Sequence, residues 1–315
     1  MLSILNVVLP VFFIVGAGYG AVKWKLFPET GVAALMGFTQ NFAVPCLLFL
    51  ALYRLDFGTV FDPRLVFSFY FGAIFCFFLG LGVARKGFAR RPGESVAIGF
   101  GALFSNSVLL GLPIMERAYG AEALAPNYAL IAVHAPICYL IGITAMEISR
   151  ADGRGAAETA RVTVRAMFRN TISMACGAGF LMNWLDVPLP APVEDAAEMV
   201  ARAALPAALF GLGGVLSRYR IRSTLGEALM ITFVSTIIHP GIAYSLTYHV
   251  FALDEGFVRS ATIMAAMAPG VNAYVFASMY DRATGEVAST VIIATAVSVF
   301  TVAGWLWLLG GAAIG

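Results

Sequence analysis

Charge is scarce in this chain. Of its 315 residues only 12% are Asp, Glu, Lys or Arg, while 60% are hydrophobic. A soluble domain carries about twice that charged fraction. With a mean hydropathy of +0.85, the composition excludes a soluble domain and points to an all-α polytopic membrane protein. No CxxC pair is present, and Cys46, Cys76, Cys138 and Cys176 all fall inside apolar runs. They read as small packing residues rather than a disulfide framework. No HExxH and no clustered carboxylates argue for a metal, and no GxxxxGK[ST] loop argues for a nucleotide. Neither a cofactor nor a nucleic-acid partner is expected. The N-terminal stretch "MLSILNVVLPVFFIVGAGYG" lacks a basic region before its apolar run. It reads as a first spanning segment rather than a cleaved signal.

What is present is a series of apolar runs near the roughly 20 residues a membrane crossing needs. Ten are expected, at about 2–20, 33–52, 64–83, 94–119, 125–148, 168–185, 196–216, 226–251, 257–279 and 286–309. The sixth is short, and Gly211, Gly213 and Gly214 weaken the seventh. The basic residues test the count. With the N-terminus outside, fifteen fall in inner loops, and only Arg54, Arg64, Arg117, Arg202 and Arg259 fall outside. This split supports ten crossings with both termini outside. The longest connection, 149–168, mixes charges and reads as a solvated linker on the cytoplasmic side. It divides the chain into two five-span halves, 1–148 and 169–315.

The halves resemble each other weakly. "NFAVPCLLFLAL" (41–52) matches "ARAALPAALFGLGG" (201–214), which sets Pro45 against Pro206. "SNSVLLGLPIMERAYG" (105–120) matches "GVNAYVFASMYDRATG" (270–285), which sets Gly120 against Gly285. An odd number of spans per half forces the second half to enter from the opposite face, so the repeats are inverted. Inverted repeats with interrupted spans are a transporter architecture. Span 4 places Ser105, Asn106 and Ser107 inside hydrocarbon, with Gly111 and Pro113 following. An unpaired amide there costs roughly 2–7 kcal/mol, and irregular backbone survives at depth only within protein or beside a cavity. Pro113 removes a backbone donor and loosens the preceding turn, and Gly111 opens unusual dihedrals. "MAPGVNAY" in span 9 repeats the pattern with Pro269, Gly270 and Asn272. Two interruptions at corresponding places predict a site between them.

At these residues the chain resembles the auxin efflux carrier family, which includes plant PIN-FORMED carriers and bacterial malonate-type permeases. The resemblance rests on "NFAVPCLLF", "FSNSVLLGLPIM" and "MAPGVNAYVFASMYDRATGEVASTVIIATAVS", and it covers essentially the whole chain. It implies a fold like that of bile-acid symporters and sodium–proton antiporters, with spans 4 and 9 crossing at their breaks. It further implies a scaffold of spans 1, 2, 6 and 7 and a mobile unit of spans 3–5 and 8–10. It implies an organic-anion carrier of the plasma (inner) membrane with an elevator-like motion, and no enzyme. A homodimer through the scaffold spans fits this layout. The 20-residue linker matches the compact microbial type rather than members with a long hydrophilic loop.

No Asp, Glu, Lys or Arg lies near the middle of a predicted span. An anion would therefore be held by half-helix N-termini and neutral donors. Ser105, Asn106, Ser107, Pro269, Gly270 and Asn272 are the expected central site, lined from the scaffold by Asn41 and Pro45. The plainer reading of the asparagines is interhelical packing. His134 and His239 each lie two residues or one residue before a proline, in "IAVHAPICYL" and "TIIHPGIAY". Intramembrane histidines are candidates for a proton relay. The expected function is a secondary or facilitative carrier of a small mono- or dicarboxylate, such as malonate or an auxin-like acid. A sodium- or proton-coupled symporter of the bile-acid type is the alternative. H⁺ or Na⁺ is then the coupling partner.

Overall fold

The computed structural model describes residues 2–56, 61–150, 161, 171–219 and 225–310. All regular elements among them are helical. The linker expected at 149–168, with Arg154 and Arg165, lies almost wholly outside the described residues, as do Arg169, Arg220 and Arg222.

In chain order the helices are α1 (Leu2–Lys23), α2 (Glu29–Tyr53), α3 (Pro63–Lys86), α4 (Pro92–Leu103), α5 (Leu112–Tyr119), α6 (Ala125–Arg150), α7 (Thr171–Trp184), α8 (Ala191–Leu216), α9 (Leu225–Val250), α10 (Glu255–Ala265), α11 (Val271–Met279) and α12 (Thr284–Leu308). Among the described residues, seven stretches are long and apolar enough to cross a membrane: those of α1, α2, α3, α6, α8, α9 and α12. The chain is thus a multi-pass membrane protein. The fourth and ninth predicted spans are each cut in two, so neither half reaches that length. The seventh span starts earlier than expected, at Ala191, and takes in Glu194, Glu198 and Arg202.

Three prolines follow the same local distortion. A wide π-type turn precedes Pro45 (Thr39–Ala43), another precedes Pro113 (Ser107–Gly111), and a third precedes Pro240 (Val234–Ile238). A proline cannot donate to the turn before it, and a π-type turn absorbs the missing bond. Gly111 departs from expectation: its φ of −64° and ψ of −52° are ordinary helical values. Its smallness serves packing instead, because a Cβ there would lie 2.6 Å from Met264 Sδ.

α1 packs closely against the second half of α8. A Cβ on Gly18 would run into the Phe210 carbonyl, and one on Gly213 into the Val15 carbonyl. The glycines of α8 therefore let backbones touch, as small residues do between membrane helices. Gly214 receives Val32 of α2 in the same way, at 2.7 Å. The three glycines thus build a joint rather than weaken a span. Further on, α2 packs on α7, α3 on α4, and α9 on α12.

Candidate functional site

Two helices stop at the same point. α4 ends at Leu103, where Phe104 turns to ψ 90° and Asn106 to ψ 54°. α10 ends at Ala265, and α11 begins only at Val271. The two irregular segments pass each other antiparallel. The Asn106 amide donates to the Ala268 carbonyl at 2.9 Å, and the Gly270 amide donates to the Phe104 carbonyl at 3.0 Å. Ser105 and Pro269 thereby pair as a single β-bridge. Each break satisfies the backbone groups that the other exposes, which is how non-helical chain is tolerated at such depth.

The crossing leaves two helix starts facing one space. Asn106 O accepts from both Leu110 and Gly111, at 3.1 Å each. The amides of Ser107, Val108 and Leu109 precede that first bonded turn. Across from them α11 begins with Val271 and Asn272, after the extended Gly270. All five residues line a cavity of about 220 Å³. Its wall is completed by Gln40, Asn41 and Val44 from α2, Ile131, His134 and Ala135 from α6, and Thr171 and Ile172 from α7. No lining residue is Asp, Glu, Lys or Arg.

The polar side chains are partly paired already. Ser105 Oγ and Ser107 Oγ lie 2.8 Å apart. Asn41 Nδ2 donates to the Gly37 carbonyl at 2.9 Å, and its Oδ1 accepts from Thr171 Oγ1 at 3.1 Å. Asn106 differs: it is 5% exposed, and its Nδ2 finds no partner among the described residues. A buried amide donor without an acceptor is costly, and an oxygen-rich guest in the cavity would relieve that cost.

The expected site residues thus fall into two groups. Asn41, Ser105, Asn106, Ser107, Gly270 and Asn272 share the cavity wall, and His134 joins them. Pro45 is buried but does not line the cavity, and Pro269 sits behind it as the bridge partner of Ser105. Gly111 and Pro113 lie in the wide turn and at the start of α5. His239 is also set apart from the cavity. Its Nε2 donates to the Phe69 carbonyl at 3.1 Å, and Gly72 leaves room for its ring. The Phe69 ring stands between the two imidazoles, 5.7 Å from that of His134 and 4.9 Å from that of His239. His134 is packed edge-on against Phe104 at 4.8 Å, and its Nδ1 lies 3.4 Å from Tyr70 Oη.

Sequence reasoning missed Gln40, Thr171 and Phe104. Gln40 adjoins Asn41 in the polar triplet "TQN", which was a usable signal. A larger cleft of about 530 Å³ lies among Leu52, Phe61, Ala132, Cys176 and Phe180. It is almost wholly apolar and offers an anion nothing. Among the described residues no three His, Cys, Asp or Glu side chains group as a metal site.

The sequence is similar to that of known membrane transport proteins. Residues 3–306 match the family model described as membrane transport protein. A candidate malonate transporter of Rhizobium meliloti is 24% identical, with the alignment covering 100% of this chain and 98% of that protein. The uncharacterized transporter YfdV of Escherichia coli is also 24% identical, over 95% of both chains. The lysosomal cholesterol signaling protein of the mouse is 28% identical over 94% of this chain, which spans 36% of the mouse protein.

Proposed function

Because the chain belongs to the membrane transport protein family, in keeping with its resemblance to auxin efflux carriers, we propose that it carries a small organic anion across the membrane. We place the substrate in the cavity at the crossing of the two broken helices. One observation carries the reading: two half-helix N-termini and Asn106 border a single cavity without formal charge. Half-helix N-termini carry partial positive charge and free N–H groups, which favour a carboxylate. Neutral donors hold it without the deep trap that a buried lysine or arginine would make, so release remains fast.

In this reading the ten predicted spans form two inverted five-span repeats, with both termini outside. α1, α2, α7 and α8 are the scaffold. α3 to α6 and α9 to α12 are the unit that moves, carrying the crossing past the wall formed by Asn41, Val44 and Thr171. The placement of the cavity between α2 and α7 on one side and the two breaks on the other supports that division. A homodimer would form through the scaffold. Malonate is the first substrate to try, given the name of the Rhizobium relative. Indole-3-acetate is the second.

Coupling to protons has one favourable observation. His134 lines the cavity and is the side-chain type that serves as a proton shuttle, and Tyr70 Oη lies 3.4 Å from its Nδ1. The apolar Phe69 ring, which touches both imidazoles, offers no relay from there to His239. Sodium coupling of the bile-acid-symporter type would rely on neutral oxygens alone.

The test is uptake of radiolabelled malonate and indole-3-acetate into proteoliposomes holding the purified chain. A membrane potential, a proton gradient and a sodium gradient are imposed separately. Saturable uptake whose KM rises in Asn106→Ala is the expected result. Normal uptake by both Asn106→Ala and Asn272→Ala would move the site elsewhere.

A further inference from the structure

We propose that Arg90 is a positioning residue for the central cavity. It fastens the start of α4, which runs into the first break, to the starts of α9 and α12, the latter joined by a short turn to α11 beyond the second break, and substrate affinity depends on that fastening. The inference uses the carrier reading for one of its two readouts only.

Three helices open with the same pair of residues. α4 begins Pro92-Gly93-Glu94, α9 begins Leu225-Gly226-Glu227 and α12 begins Thr284-Gly285-Glu286. The loop between α3 and α4 ties these three starts together. Arg90 Nε donates to Glu227 Oε1 at 2.8 Å, and its other arm reaches Glu286 Oε1 at 2.9 Å. Glu94 accepts from the Arg91 amide at 3.0 Å and so anchors the loop itself. The site is well covered: the side chains of Arg90, Glu227 and Glu286 are 24%, 8% and 14% exposed.

The loop is shaped for this contact. Ala89 adopts φ 51°, a left-handed conformation rare for a residue with a side chain. Arg85 donates to the Arg90 carbonyl at 2.7 Å, and the Arg90 amide donates to the Ala84 carbonyl at 3.0 Å. Phe88 packs on Gly226, where a Cβ would lie 2.8 Å from its ring. The docking is reciprocal, because the Arg282 side chain crosses Gly93 at 3.3 Å from where a Cβ would stand. A planar guanidinium serves two carboxylates at once, which an ammonium point charge does less well.

The link to the cavity is direct. Every residue of α4 from Ser95 to Leu103 is buried, and the next residue is Phe104 of the break. Twelve residues make a strut of about 18 Å. On the other side α11 leaves the cavity and turns at 280–283 into the first turn of α12, where Glu286 sits. Asp281 and Ala283 hold that turn in left-handed conformations. Closely packed struts transmit a displacement rather than absorb it. Loosening Arg90 therefore shifts one half-helix N-terminus against the other.

The test has two arms, both on the full chain. In proteoliposomes taking up malonate or indole-3-acetate, Arg90→Ala is expected to raise the apparent KM about tenfold and change the maximal rate less than twofold. Arg90→Lys should fall between it and the wild type. Glu286→Gln should raise KM severalfold, and the double variant Arg90→Ala/Glu286→Gln should be no worse than Arg90→Ala alone. Arg91→Ala removes an adjacent charge without touching the clasp and should leave KM unchanged. In the second arm, the variant Ser107→Cys is labelled in detergent by a thiosulfonate reagent, which requires no transport. Its labelling rate should shift severalfold with Arg90→Ala and not with Arg91→Ala. A wild-type KM and labelling rate in Arg90→Ala, an equal effect of Arg91→Ala, or an additive double variant would each overturn the proposal. If Arg90→Ala does not fold, Arg90→Lys and Glu286→Gln carry both arms. If the wild type takes up neither acid while labelling still shifts, the carrier reading falls and the clasp stands.

Discussion

Two contacts within this molecule solve opposite problems. Where α1 meets the second half of α8, the backbone is helical on both sides and glycines let the two main chains touch. Where the two breaks meet, the backbone is irregular, the bonds run between segments, and one buried amide stays unpaired. The first contact is optimised for stability and has no chemistry left to offer. The second gives up stability and keeps donors in reserve. The contrast predicts that substitutions will separate cleanly into those that unfold the protein and those that silence it.

The largest effect should come from the regular contact. Gly213→Ala forces a methyl into the Val15 carbonyl. Melting of the detergent-purified protein should reveal a loss of about 3 kcal/mol. Asn106→Ala sharpens the other side of the comparison. It removes the donor reserved for the guest, so KM should rise roughly thirtyfold, worth about 2 kcal/mol. The same variant also deletes an unpaired buried amide, and its melting temperature should be equal to or above that of the wild type. A melting temperature that falls along with transport would show Asn106 to be glue. Gly111→Ala lies between the two regions. Its methyl would meet the sulfur of Met264, a side chain that can move, so a stability loss of about 1 kcal/mol is expected with transport retained.

The smallest effect lies outside both contacts. Asp62 caps α3 by accepting from the Arg64 amide at 2.7 Å. The Arg64 guanidinium beside it, together with that amide, holds its carboxyl below the usual carboxylate range. A depressed carboxyl contributes stability that is present at neutral pH and lost as pH falls through its folded value. Asp62→Ala should therefore cost about 0.5 kcal/mol at pH 7. The gap to the wild type should close in acid melts.

The breaks were legible in the sequence because polar residues beside Pro and Gly cannot sit in an unbroken helix facing lipid. Ser105 to Ser107 and Pro269 to Asn272 announced them, and the structure brings both segments to one place. The wide turns were not legible. Pro45, Pro113 and Pro240 signalled local disturbance, but whether a proline kinks a helix or is absorbed by a wider turn depends on neighbouring helices. Gly213 was misleading for a related reason: alone it reads as a weak helix former, and only the partner α1 turns it into a joint. Arg90 was hidden most deeply. By sequence it is one basic residue among several in an inner loop, whereas its carboxylate partners lie 137 and 196 positions away along the chain.

The bridge between Ser105 and Pro269 has a consequence for how such a protein can diversify. Two main-chain bonds hold the crossing, and main-chain atoms are the same whatever side chain is attached. The frame is therefore indifferent to the identities of Ser105, Ser107 and Asn272, whereas on the proposed reading a bound anion would meet all three. Libraries randomised at those positions should yield mostly folded proteins that differ in what they accept. The cavity behaves as an interchangeable fitting on a fixed mount.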